Sequence, residues 1–109
     1  MIPDLEATLN YIIILKLLME SDMTADEVEE KFDEVSDWEN TGYEMSGKFF
    51  LLDLYHENSV AKIYKLHTKK AIYYRITEKG KKRYPKLIDE YFAIKNITDK
   101  VLDRAMKYR

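Results

Sequence analysis

The sequence predicts an α+β fold, mainly α, in which three helices precede a two-stranded hairpin and an extended C-terminal helix follows it. Three observations predict it. Apolar residues recur at helical spacing through three stretches of the first 57 residues. Residues 60–66 and 71–77 instead alternate with a period of two, on either side of the polar tip His67-Thr68-Lys69-Lys70. The period then changes again at Thr77, a good N-cap, with Glu78 where a helix dipole favours negative charge. At 109 residues one domain is expected, large enough to bury a core without staples.

Asp4 is a plausible N-cap for the first helix, and Leu5, Leu9 and Ile12 start one stripe. From residue 11 to residue 19 nearly every position is apolar, as in a helix buried on several sides, either in the core or at a subunit interface. Residues 20–23 read as a turn. Thr24-Ala25-Asp26-Glu27 matches a capping box. Val28, Phe32 and Val35 give the second helix its stripe, and Asp26, Glu27, Glu29, Glu30, Asp33 and Glu34 its solvated acidic face. The third helix is expected to start near Thr41–Tyr43 and to run to about Glu57. Its core stripe reads as Met45, Phe49, Leu52 and Tyr55 or His56, with Phe50 and Leu54 as a second strip. Tyr43, Ser46, Gly47 and Lys48 point outward early in it. Asn58 ends it, since Asn tolerates the left-handed conformation.

In the hairpin, Val60, Tyr64 and Leu66 share a face of the first strand, and Ile72, Tyr74 and Ile76 one face of the second. Pro85 predicts a short helix to about Tyr84 and then a kink or restart. The chain is accordingly divided into residues 1–84 and a C-terminal helical element, 85–109. In that element Leu87, Tyr91, Ile94, Val101, Ala105 and Tyr108 form a heptad-like seam that packs on its own domain or pairs with a second copy.

Charge is segregated. Residues 1–61 carry three basic and fifteen acidic side chains; residues 62–86 carry ten basic ones and a single acid, Glu78. A stretch this cationic inside a chain of net charge −2 points to a surface that meets a polyanion. There is no cysteine, which excludes disulfides and thiolate chemistry. The longest apolar run is too short to span a bilayer, and the early acids are unlike a signal peptide. No membrane association is expected, and a cytoplasmic location is. No nucleophile–base set and no Gly-rich phosphate loop is visible, so neither an enzyme nor a cofactor is expected, and His56 and His67 lack the company that a metal site needs.

The order of elements, with Tyr74-Arg75-Ile76-Thr77-Glu78-Lys79-Gly80 closing the hairpin, resembles the winged helix-turn-helix of PadR-like and MarR-like transcriptional regulators, which show an aromatic strand followed by Tyr-x-Leu/Ile-Thr-x-x-Gly. The resemblance implies a homodimeric regulator that binds double-stranded DNA, with its third helix in the major groove, its wing on the adjacent backbone or minor groove, and its terminal helices at the dimer interface. It assigns Thr41, Tyr43, Ser46 and Lys48 to the groove, and Lys62, Lys65, His67, Thr68, Lys69, Lys70 and Arg75 to the wing. The lysine excess in the wing suggests contact with phosphate rather than base reading. The second helix is acidic, and the third has one lysine and much apolar surface. They motivate the alternative of a winged-helix protein–protein interaction module that does not bind DNA, with Phe50 and Leu54 as its contact residues.

Overall fold

The computed structural model describes residues 5–42, 45–65 and 71–108, and of Trp38 the backbone alone. Eight elements follow in order: α1 (Leu5–Glu20), β1 (Met23–Thr24), α2 (Ala25–Ser36), α3 (Trp38–Thr41), α4 (Gly47–His56), β2 (Val60–Tyr64), β3 (Ile72–Ile76) and α5 (Glu78–Lys107). The proposed Asp4 cap and residues Tyr43, Leu66, His67, Thr68, Lys69 and Lys70 lie outside the described residues.

α1 is the central helix. Ile14, Leu15, Leu17 and Leu18 are buried, and the helix packs on α5, α4 and α2. Its apolar girth is thus accounted for within one chain. α2 opens with the expected capping box: Glu27 N–H donates to Thr24 Oγ1 at 3.2 Å and Thr24 N–H to Glu27 Oε1 at 3.3 Å. Its buried face is Val28, Phe32 and Ser36; Val35, expected in the stripe, is exposed. The helix stops at Asp37, which takes the left-handed conformation at φ 47°.

The third sequence helix divides into two. One turn, α3, ends at Thr41, and α4 starts only at Gly47 with Ser46 as N-cap. Gly47, expected to face outward, is buried: a Cβ there would lie 2.9 Å from Phe32 Cβ, so the residue permits close packing of α2 against α4. That contact sets the helix's rotation. Phe50, Leu51 and Leu54 turn to the core, while Phe49 and Leu52, expected in the core stripe, are exposed. Asn58 takes the left-handed turn at φ 66°, as expected.

The hairpin is part of a three-stranded antiparallel sheet of order β1-β3-β2. The additional strand, Met23–Thr24, lies where a turn was expected; Met23 pairs with Tyr74 and Thr24 with Tyr73. In the β2–β3 register Val60 faces Ile76, Lys62 faces Tyr74 and Tyr64 faces Ile72. Val60, Tyr74 and Ile76 are buried, whereas Tyr64 and Ile72 further out are exposed. The sheet face leaves the core as the hairpin runs toward its tip, which is the geometry of a wing.

The Thr-x-x-Gly turn anchors the last helix. Gly80 N–H donates to Thr77 Oγ1 at 3.1 Å, the Thr77 hydroxyl donates to Asn58 O at 2.7 Å, and Thr77 N–H donates to Ser59 O at 3.1 Å. Gly80 is required by proximity: a Cβ there would overlap the Ser59 carbonyl oxygen and lie 2.8 Å from Ile76 Cγ1. From this anchor α5 runs as one 30-residue helix through Pro85, without the expected restart. Leu87 and Ile94 are buried against the domain; residues 95–108 are all exposed. At 1.5 Å per residue the helix is about 45 Å long, which explains an envelope of 66 × 31 × 21 Å.

Candidate nucleic-acid interface

α2 and α4 are the two packed helices of a helix-turn-helix, with α3 in the connection. The outward side of α4 presents Lys48, Phe49, Leu52 and His56. Its N-terminus is engaged from within the protein. Glu29 of α2 accepts the Lys48 backbone N–H at 2.6 Å and the Ser46 hydroxyl at 3.4 Å. A carboxylate here satisfies an otherwise unpartnered amide and lies in the favourable field of the helix dipole. Lys48 Nζ in turn meets Asp26 Oδ1 at 2.6 Å, and this hydrogen bond raises the lysine pKa above its ordinary value. The acidic face of α2 is therefore solvated only in part; two of its members hold the start of α4.

Of the other groove candidates, Thr41 donates its hydroxyl to Ser36 O at 2.8 Å and to Asp37 O at 3.1 Å, closing the turn after α2. Tyr43 is outside the described residues. Sequence reasoning missed Phe49 and Leu52 because residues 49–52 are all apolar and suit either rotation; only the contact between Gly47 and Phe32 decides the phase. Phe50 and Leu54, the expected protein-contact residues, are buried and present no surface to a partner.

The wing cations separate onto two faces. Lys62 is on the face turned to α4, its Nζ 4.5 Å from the centroid of the Tyr55 ring. Lys65 lies over the Tyr73 ring at 4.3 Å, on the opposite face. Arg75 grips Asp22 with two hydrogen bonds, Nε to Oδ1 at 3.1 Å and Nη2 to Oδ2 at 2.7 Å. This fork ties β3 to the turn before β1. The hydrogen bond from Arg75 is the main reason that the Asp22 pKa lies below its ordinary value, and the Arg75 pKa is raised in return. His67, Thr68, Lys69 and Lys70 are outside the described residues.

The cations that follow the hairpin are displaced from it. Lys79, Lys82, Arg83 and Lys86 line a depression of about 490 Å³ on α5. Lys79 Nζ donates to Glu57 O, and Arg83 pairs with the Glu57 carboxylate while lying 5.7 Å from the Tyr11 ring centroid. Tyr11 donates its hydroxyl to Asp53 at 3.1 Å, and burial raises its pKa, with the Asp53 contact adding to the effect. These groups join α1, α4 and α5 at the base of the wing. The described cations of this stretch are thus one run in sequence but are divided in space between the two faces of the hairpin and α5.

This architecture recurs among solved structures. A transcriptional regulator from Clostridium thermocellum matches at a TM-score of 0.68 with 27% identity, over 83% of this chain and 89% of that one. A PadR family transcription regulator from Clostridium difficile matches at 0.61 with 19% identity, over 85% and 97%. The chain has a winged-helix fold like that of this PadR family regulator. A Thermoplasma acidophilum protein assigned as a transcriptional regulator also matches, at 0.58 with 24% identity over 94% and 95%. No protein-family model and no curated protein matches the sequence. Within this PadR-like frame, the exposed side of α4 and the hairpin beyond it occupy the helix-turn-helix and wing positions. Among the described residues no helix is long and apolar enough to cross a membrane, and no cluster of His, Cys, Asp and Glu fits a metal ion.

Proposed function

We propose that this protein is a DNA-binding transcriptional regulator that acts as a homodimer in the cytoplasm and catalyses no reaction. α4 enters the major groove, and the lysine-bearing wing lies on the neighbouring backbone. The observation that carries this reading is the placement of Lys62. The wing's own register turns it toward α4, so that Lys48 and Lys62 stand at the two ends of one outward-facing helix. Ammonium groups so placed bind phosphate without reading sequence. The groove residues are Thr41, Tyr43, Ser46 and Lys48; the wing residues are Lys62, Lys65, His67, Thr68, Lys69, Lys70 and Arg75. Lys48 exchanges its carboxylate partner for phosphate, and an exposed pair of this kind offers little resistance; Arg75 adds its positive charge to the wing while keeping its fork to Asp22.

Dimerisation through α5 is supported by the exposure of Ile97, Val101, Leu102, Met106 and Tyr108. Ile97, Val101 and Tyr108 continue the stripe of buried Leu87 and Ile94, so the apolar seam extends past the edge of its own domain. The competing protein-interaction reading draws on the acidic α2 and on exposed Phe49.

Duplex affinity measured at several salt concentrations tests the proposal. Each phosphate contact removed lowers the salt slope by about 0.9. Lys62→Glu/Lys65→Glu therefore binds more weakly and with a shallower slope than the native chain, and Lys69→Glu/Lys70→Glu does the same. Equal affinity of native and altered chains contradicts the wing assignment. Sedimentation giving the mass of a single chain at micromolar concentration contradicts the homodimer.

A further inference from the structure

Phe49 and Leu52 sit one turn apart on the outward side of α4, 60% and 45% exposed. Phe49 is a positioned group, its ring packed edge-on against buried Phe50 at 5.3 Å and 83°. The exposed members of α4 are Lys48, Phe49, Leu52 and His56, and none is an Asn, Gln or Arg. Bidentate reading of adenine needs a side-chain amide, and that of guanine is best served by a guanidinium fork or an ammonium at the groove floor. The middle of α4 has neither; it has apolar surface. The apolar group that a base pair displays in the major groove is the thymine 5-methyl.

We propose that Phe49 and Leu52 contact thymine methyl groups, so that α4 selects its duplex by methyl position. The proposal rests on the reading of α4 as the groove helix. Charge complementarity favours nucleic acid over protein as the occupant. Lys48, whose ammonium rests on the exposed Asp26 carboxylate and can exchange it for phosphate, stands at one end of the apolar strip, and at the other Lys62 lies over Tyr55. Seven residues of helix separate Lys48 from Tyr55, about 10.5 Å of rise, against a major groove about 12 Å wide. Cations at this separation reach phosphates while the apolar pair between them faces the base edges. A hydrophobic protein partner would gain nothing from that bracketing.

Thymine and uracil differ by this methyl alone, which makes the test direct. Affinity is measured by fluorescence anisotropy for a 30-base-pair alternating dA–dT duplex and for the same duplex with dU in place of dT. A buried methyl is equivalent to roughly four-fold in affinity, so the two contacts of one protomer predict about sixteen-fold weaker binding of the dU duplex. Phe49→Ser/Leu52→Ser, whose altered side chains are outside the core, keeps the native circular dichroism and binds both duplexes equally. Alternating dG–dC carrying 5-methylcytosine binds more tightly than unmethylated dG–dC, because the methyl occupies the corresponding groove position. Equal, salt-sensitive binding of dT and dU duplexes by the native chain overturns the methyl assignment and leaves the DNA-binding reading standing. Retained discrimination in the double variant overturns the choice of residues. Failure to bind any of these duplexes overturns the DNA-binding reading and this proposal with it.

Discussion

Replacing Gly80 by alanine should destabilise the domain, although it improves an intrinsic helix former. In an unconstrained helix interior the change stabilises by about 1 kcal/mol. Here the new methyl group meets the backbone oxygen of Ser59 and lies 2.8 Å from Ile76 Cγ1. A carbonyl cannot rotate aside as a side chain can, and this one accepts Thr77 N–H at 3.1 Å. Overpacking against a fixed neighbour costs about 3 kcal/mol, at the upper end of its usual range. Loosening the Thr77 hydrogen bond adds about 1 kcal/mol. Set against the helix gain, the net loss is about 3 kcal/mol, which for a domain of this size lowers Tm by roughly 12–20 °C. Thermal unfolding followed by circular dichroism reads it. Gly42→Ala is the control: it has open space around it but a positive φ of 75°, so it costs about 1 kcal/mol through backbone strain alone. A Gly80→Ala chain that melts at or above the native temperature would refute the close approach of α5 to the end of α4, and with it the anchoring of the wing.

Three further outcomes follow from contacts on the same elements. Thr77→Val loses the cap on Gly80 N–H and the bond to Asn58 O and should cost about 1–2 kcal/mol in chemical denaturation, whereas Thr77→Ser stays within about 0.5 kcal/mol of native. Asp22→Asn should be less stable than native only where Asp22 is ionised. Because Arg75 depresses the folded-state pKa, the stabilisation is complete above the ordinary carboxylate value of about 3.9 and is lost as pH falls through the lower folded value. The gap between the two melting temperatures is therefore constant from pH 5 to 8 and narrows as pH falls below about 4; a gap that does not narrow there would contradict the fork. Glu29→Ala should lower stability by about 1 kcal/mol, since it frees the Lys48 amide at the start of α4, and should tighten duplex binding at low salt by removing a carboxylate from a phosphate-binding position.

Where two local signals agreed, the sequence was an accurate guide. The capping box at Thr24, the left-handed Asn58, the wing register with Tyr74 and Ile76 inward, and Thr77 as a cap all depend on neighbours within a few residues, and all are present. What depended on tertiary contact was not legible. A two-residue strand, Met23–Thr24, has no period to detect and exists because β3 offers it an edge. The rotation of α4 was ambiguous in a run of four apolar residues, and a glycine read as outward decided it by admitting Phe32. Pro85 does not end its helix: a long helix held at both Leu87 and its N-cap continues through a missing hydrogen bond. The charge segregation was visible in the sequence, but its division between the two wing faces and the base of α5 was not. Neither strand parity nor helix phase foretells which lysine meets Tyr55, Tyr73 or Glu57.

The interface itself is most directly tested by backbone amide NMR shifts during titration of the isotope-labelled chain with a 30-base-pair duplex. The largest changes should fall on residues 46–52 of α4 and on the hairpin around Lys62 and Lys65, and should shrink as salt is raised. Changes confined to Lys79, Lys82, Arg83 and Lys86 at the base of the wing, with α4 and the hairpin unmoved, would contradict it.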